Sequence, residues 1–140
     1  MKNTKGRLLT LALISLTALG LNSCTKDSSP DDPGSEFPRE VTIVYTASST
    51  TRTVAESVSY TNNSGGSTSL DNVTLPFTVT ITRTVDVADF AALNALVVSP
   101  ASESVMEDVK VEIRINGQVV DTETGTGSGS ATADAFYLFE

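Results

Sequence analysis

The stretch Val109-Lys110-Val111-Glu112-Ile113-Arg114-Ile115-Asn116-Gly117-Gln118-Val119-Val120-Asp121-Thr122-Glu123 decides the fold class. From Val109 to Ile115 aliphatic and charged side chains alternate, which places Val109, Val111, Ile113 and Ile115 on one face of a strand and Lys110, Glu112 and Arg114 on the other. Asn116 and Gly117 then supply two residues that tolerate positive φ, as a type I′ turn requires, so they are expected at the tip of a hairpin whose returning strand is 118–123. An antiparallel pair with one apolar face has to bury that face against another layer.

Upstream, the same chemistry recurs in short segments. Phe77-Thr78-Val79-Thr80-Ile81-Thr82 alternates apolar and polar side chains, Val41–Tyr45 and Val54–Thr61 are rich in β-branched residues, and a further strand is expected around Ser69–Leu75, stopped by Pro76. Asn62-Asn63-Ser64-Gly65-Gly66 is a turn signal between two of these segments. Residues 89–98 (DFAALNALVV) suit a short helix as well as a strand, Gly125–Ser130 reads as a flexible loop, and Ala133–Phe139 closes the domain as a strand. The expected inward residues are Ile43, Tyr45, Val58, Tyr60, Leu75, Phe77, Val79, Ile81, Leu96, Val98, Val109, Val111, Ile113, Ile115, Val119, Tyr137 and Phe139, enough for a core without disulfides. The pattern predicts an all-β domain over 41–140, an immunoglobulin-like antiparallel β-sandwich of about seven strands, without the cysteine pair and tryptophan of true immunoglobulin domains.

The N-terminus is of a different kind. Lys2, Lys5 and Arg7 precede an apolar run, Leu8 to Leu21, that is shorter than the roughly 20 residues a bilayer span needs. It ends in Leu21-Asn22-Ser23-Cys24, which resembles a bacterial lipobox, so residues 1–23 are expected to be a cleaved lipoprotein signal peptide and Cys24 the lipid-bearing first residue of the mature chain. A diacylglyceryl thioether with an N-acyl chain would supply the two-signal anchoring that a single chain does not. Residues 24–40 hold prolines, acids and almost nothing apolar, and are read as a lipidated, flexible, disordered tether. Thr25 follows the cysteine where an inner-membrane retention signal has aspartate, so the outer membrane is the expected destination, facing the periplasm or the cell surface. Lys26-Asp27 with the acids after it resembles the charged export tags of surface lipoproteins, or is a solvated linker.

Composition narrows the function classes. The 140 residues carry 17 acidic and 9 basic side chains, a net charge of −8 that becomes more negative once the basic leader is removed, which disfavours nucleic acid as a partner. There is no histidine or tryptophan and Cys24 is the single cysteine, so histidine-based triads and most metal or thiol sites cannot be assembled.

Three elements together resemble the soluble domain of the MmpS family, small membrane-attached proteins that accompany RND-type lipid and siderophore exporters. They are Val58-Ser59-Tyr60-Thr61-Asn62 with its Gly/Ser turn, Asn72-Val73-Thr74-Leu75-Pro76-Phe77, and Val111 to Val120 with the Thr/Gly/Ser-rich segment after it. The resemblance covers about residues 41–140 and implies a sandwich that assists an RND-type transporter. Phe77 stands where that family commonly has tryptophan, the cysteines often found near its last strands are missing, and a lipobox replaces a transmembrane helix.

Other residues carry weaker chemical suggestions. Asp86, Asp89, Glu103, Glu107 and Asp108 are either an oxygen-rich calcium site, without EF-hand spacing, or a solvated acidic edge. Arg83 and Arg114 are either an anion-binding pair on an outer face or ordinary outward charges, and Tyr60, Tyr137 and Phe139 either packing or a ligand shelf. No P-loop lysine accompanies Gly125–Ser130, and paired carboxylates lack an aromatic platform for a sugar. The expectation is therefore a lipid-anchored, non-enzymatic accessory module without catalytic, cofactor or metal residues. It is held to the membrane through Cys24 and binds an envelope protein. The alternative is a surface adhesive or structural lipoprotein contacting host or matrix glycans.

Overall fold

A computed structural model describes residues 37–101 and 105–140; Leu21, Asn22, Ser23 and Cys24, the tether up to residue 36, and Glu103 lie outside the described residues. Eight strands make up the domain: β1 (Arg39–Ser48), β2 (Val54–Thr61), β3 (Ser67–Thr74), β4 (Phe77–Val85), β5 (Phe90–Val98), β6 (Met106–Ile115), β7 (Gln118–Ser128) and β8 (Ser130–Leu138). They form two antiparallel sheets, ordered β4-β1-β6-β7 and β3-β2-β5-β8. Strands β1 and β2 belong to different sheets and pair with β4 and β5 respectively, so the chain crosses between layers and locks them together. This is the all-β sandwich that the alternating segments predict. The ambiguous 89–98 segment is a strand, and β1 starts at Arg39, inside the expected tether.

The volume of the inward side chains differs from one side of the sandwich to the other. Strands β5 and β8 present Ala91, Leu93, Ala95, Val97, Ala131, Ala133 and Ala135 to the interior, opposite Val109, Val111 and Ile113 of β6, and all are buried. Because most of these are small, the sheets approach each other closely along β6, β7 and β8. At Gly125 an added Cβ would lie 1.8 Å from the Thr132 carbonyl oxygen, and at Gly127 2.2 Å from that of Ser130. On the other side, Tyr45 packs on Tyr60 at 5.5 Å between ring centres and Tyr60 on Phe77 at 6.1 Å. These rings hold the sheets apart, and Phe77, Val79 and Ile81 on β4 are only half-buried.

Four sequence expectations are corrected here, each for a local reason. Leu96 and Val98 lie on the outer face of β5, because the strand alternates and turns Ala91, Leu93, Ala95 and Val97 inward, leaving the face that carries Asn94 outside. Val119 is exposed because a two-residue turn pairs it with Arg114, an outward position. Arg83 points inward, continuing the alternation of Phe77, Val79 and Ile81. Gly125–Ser130 is not a flexible loop: β7 runs on to Ser128, Gly129 turns with φ 77°, and β8 starts at Ser130. At the hairpin tip Asn116 and Gly117 have φ of 51° and 87°. Asn116 also ties the turn to β1, its Oδ1 accepting from the Thr42 N–H at 2.9 Å and its N–H donating to the Thr42 carbonyl at 2.8 Å.

Strand directions assign the connections to two ends. Phe37, the turns 62–66, 86–89 and 116–117, and the C-terminal Glu140 sit at the entry end. The connections 49–53 and 75–76, Ser99, Val105 and the turn at Gly129 sit at the far end, with β5 spanning the distance at about 3.3 Å per residue, roughly 30 Å in all.

Gly125→Val is expected to destabilise the domain by about 3 kcal/mol, because the new side chain can be accommodated only by separating the sheets. Gly66→Ala, whose Cβ would meet nothing closer than 3.6 Å, should shift stability by no more than about 0.5 kcal/mol. Urea denaturation of the two variants beside the parent measures both.

Candidate functional site

The densest polar network among the described residues lies at the far end, where the β1–β2 connection folds over the start of β6. Glu107 occupies an inward position of β6 and its side chain is fully buried. Arg52 reaches it from the β1–β2 connection, donating from Nε at 2.8 Å and from Nη2 at 2.5 Å to Oε1. The Ser99 hydroxyl, just past β5, donates to the same oxygen. These donors, Arg52 first and Ser99 next, pull the Glu107 carboxyl down from its ordinary 4.5 to about 2 against the opposing effect of desolvation.

The neighbouring Asp108 points the other way and fixes the tip of the same connection. Its carboxylate accepts from the Thr50 N–H at 3.1 Å, the Thr50 hydroxyl at 2.8 Å and the Thr51 N–H at 3.0 Å, while its own N–H donates to Thr51 Oγ1 at 3.1 Å. Desolvation acts to raise the Asp108 carboxyl, and the Thr50 and Thr51 hydrogen bonds overcome it, leaving the group below its usual range. Ser49 Oγ accepts from the Arg52 N–H at 2.9 Å and completes the turn. The network continues to Gly129, whose N–H donates to the Val105 carbonyl and whose carbonyl accepts from the Ser99 N–H. The β1–β2 connection, Ser99, Val105 and Gly129 are thereby held in one arrangement, while the buried Glu107 Oε2 is left without a hydrogen-bond partner.

Beside this network an open cleft of about 330 Å³ runs between the β1–β2 connection and the end of β5, lined by Arg52, Thr53, Val54, Glu56, Val98 and Pro100. Val54 and Val98 are exposed, as are Val105 and Met106 nearby, so the far end offers an apolar fringe around a charged, rigid centre. That composition suits contact with another protein surface, in which a few apolar anchors sit among fixed polar groups.

The residues singled out from sequence are distributed differently. Asp86 and Asp89 lie in the β4–β5 turn at the entry end, where the Asp89 carboxylate accepts from the Asp86 N–H and the Asp86 carboxylate from the Val87 N–H, so they do not meet Glu107 and Asp108 at the far end. Among the described residues no three acidic, histidine or cysteine side chains are grouped to hold a metal ion. Arg83 and Arg114 are not a pair either. Arg114 is outward and bonds Glu112 at 2.6 Å, whereas Arg83 is inward and donates to the Phe90 carbonyl at 2.6 Å. Tyr137 stacks edge-on against the buried Phe139 at 5.1 Å, and Tyr60 belongs to the aromatic row next to Tyr45. Sequence reading missed Arg52 and Ser99 altogether. The only local sign of them is the placement of polar residues at an inward position of β6, Glu107, which demands a partner from elsewhere.

Since the Glu107 carboxyl is depressed in the folded state, its contribution to stability is complete above about pH 4.5 and is lost as pH falls toward about 2. Asp108 adds a dependence of the same sign. Glu107→Gln should lower the urea midpoint at pH 7, where Arg52 loses its ionic partner, and flatten the decline of that midpoint between pH 4.5 and pH 3; denaturation curves at the two pH values measure the change. No protein-family model matches this chain, and no curated protein does.

Proposed function

We propose that the protein is a lipid-anchored, non-enzymatic binding module of the bacterial envelope, held to the membrane through Cys24 and presenting the far end of its sandwich to a protein partner. The observation that carries this reading is the separation of the two ends. The chain preceding Phe37 enters at one end, and the Arg52–Glu107–Asp108 network with its cleft stands at the other, about the length of β5 away. A tether that starts at the lipid and joins the entry end leaves the far end free and raises its effective concentration near other membrane-bound assemblies, so that a modest apolar contact suffices. Glu107 and Asp108 are held as anions by neutralising or hydrogen-bonding partners, an arrangement that favours a strut for the loops over a proton-transfer role. The resemblance noted above makes an RND-type exporter assembly the partner of choice, and Thr25 favours the outer membrane.

Cys24→Ser should leave unprocessed precursor and remove the mature protein from the membrane fraction; maturation and membrane association of that variant would contradict the anchor. In the same cells a photo-crosslinking residue at Thr51 should yield a protein adduct and one at Ser64, in the entry-end turn, should not. Digestion of the domain by protease added to intact cells would favour the adhesive, glycan-contacting role, and protection together with a co-purified permease the accessory role.

A further inference from the structure

The entry end holds a second anomaly, unrelated to the far-end network. Among the described residues, every buried side-chain nitrogen or oxygen without a hydrogen-bond partner, apart from Glu107 Oε2, belongs to three groups able to donate: Arg39 Nε and Nη2, Arg83 Nε, and the Tyr45 hydroxyl. All three side chains project from the inner face of β1 or β4. Arg83 is only 8% exposed, and its Nη2 bond to the Phe90 carbonyl leaves the guanidinium charge unopposed. The Arg39 guanidinium lies 4.8 Å over the Phe37 ring and 6.0 Å from that of Phe139.

The register brings the two arginines to one corner. Arg39 pairs with Val85 and Val41 with Arg83, so the two are diagonal neighbours on one face. Arg83 reaches the Phe90 carbonyl, Phe90 pairs with Leu138, and Arg39 lies beside Phe139, the next residue. Neither guanidinium forms an ion pair with a carboxylate of the described residues, although acidic side chains far outnumber the five cations there. Burying a cation without an anion is costly, and although Asp86, Asp89 and Glu140 lie at the same end, none of them forms an ion pair with either arginine.

We propose that Arg39 and Arg83 form a binding site for an oxyanion of the phosphate class at the entry end of the sandwich. The Nε–Nη2 edge of Arg39 is the side of a guanidinium that takes two oxygens of one phosphate, and Arg83 Nε supplies a third donor. A tetrahedral anion accepts from such divergent directions better than a planar carboxylate. Burial pushes the Tyr45 phenol up to about 12, against the attraction of the Arg83 charge and the approach of the Thr61 hydroxyl, so the phenol stays neutral beside the arginines. Val87, Phe90, Phe136 and Leu138 are exposed at the same end, with Phe90 stacked on Phe136 at 5.8 Å. A phosphate carried on acyl chains and a free phosphate share this site chemistry. The site does not depend on the anchor or on the protein partner proposed above.

The test uses the full chain, 15N-labelled, in zwitterionic phosphatidylcholine bicelles, with the arginine Nε–Hε resonances as reporters. Inorganic phosphate is titrated in one arm, and phosphatidylglycerol replaces part of the phosphatidylcholine in the other. The Arg39 and Arg83 signals should shift saturably in at least one arm while Arg114 stays in place. Arg83→Gln should weaken the apparent affinity at least tenfold and Arg114→Gln leave it unchanged; if Arg83→Gln loses the folded amide spectrum, Arg39→Gln serves in its place. A response to phosphate alone identifies a free anion and a response to phosphatidylglycerol alone a lipid headgroup. Absence of a saturable shift in both arms, or shifts no larger than those of Arg114, overturns the proposal.

Discussion

Gly125 and Gly127 on β7, with the alanines of β5 and β8, let the two sheets come together on one side, while Tyr45, Tyr60 and Phe77 keep them apart on the other. The unequal filling turns two flat layers into a wedge. On the closed side β-branched residues of β6 are wholly buried against small neighbours, which gives dense packing without disulfides. On the open side the inward Phe77, Val79 and Ile81 of β4 are half-buried, and further along the strand there is room for a buried side chain as large as arginine. The position of Arg83, and with it the polar character of the entry-end corner, follows from that difference in volume.

The two ends of the wedge treat buried charge in opposite ways. At the far end Glu107 is taken out of water together with Arg52 and Ser99, and the cost of desolvation is offset by strong hydrogen bonds from both. The connections this network ties down become a fixed surface with an apolar margin. At the entry end Arg83 is buried with a lone carbonyl as partner and Arg39 is half-buried against two rings, and neither forms an ion pair with a carboxylate of the described residues. One arrangement organises the protein's own loops, and the other is left with donors for something outside the chain.

Much of the fold could be read from local patterns. The Val109–Ile115 alternation followed by Asn116-Gly117 identifies β6, its turn and β7 because strand period and turn chemistry agree there. The phase of β5 could not be read in the same way: both faces carry large apolar residues, Leu93 and Val97 on the inner and Leu96 and Val98 on the outer, so alternation alone leaves the choice open and packing against the other sheet decides it. The glycines of β7 read as loop residues for the same reason, since their role comes from the Thr132 and Ser130 carbonyls opposite them. Of the far-end site the sequence singled out only Glu107 and Asp108, as part of a calcium site or a solvated edge, whereas Glu107 is buried against Arg52. Arg52 and Ser99 join them from segments 55 and 8 residues away, a contact that no local pattern announces.

Native-state hydrogen exchange tests the wedge most directly, because β3, β4, β7 and β8 are all edge strands and differ only in how closely the opposite sheet approaches. The account predicts that the paired amides of β7 and β8 exchange more slowly than those of β3 and β4, whose edges lie on the open side. Equal protection of the two pairs of edges, or slower exchange in β3 and β4, would contradict it.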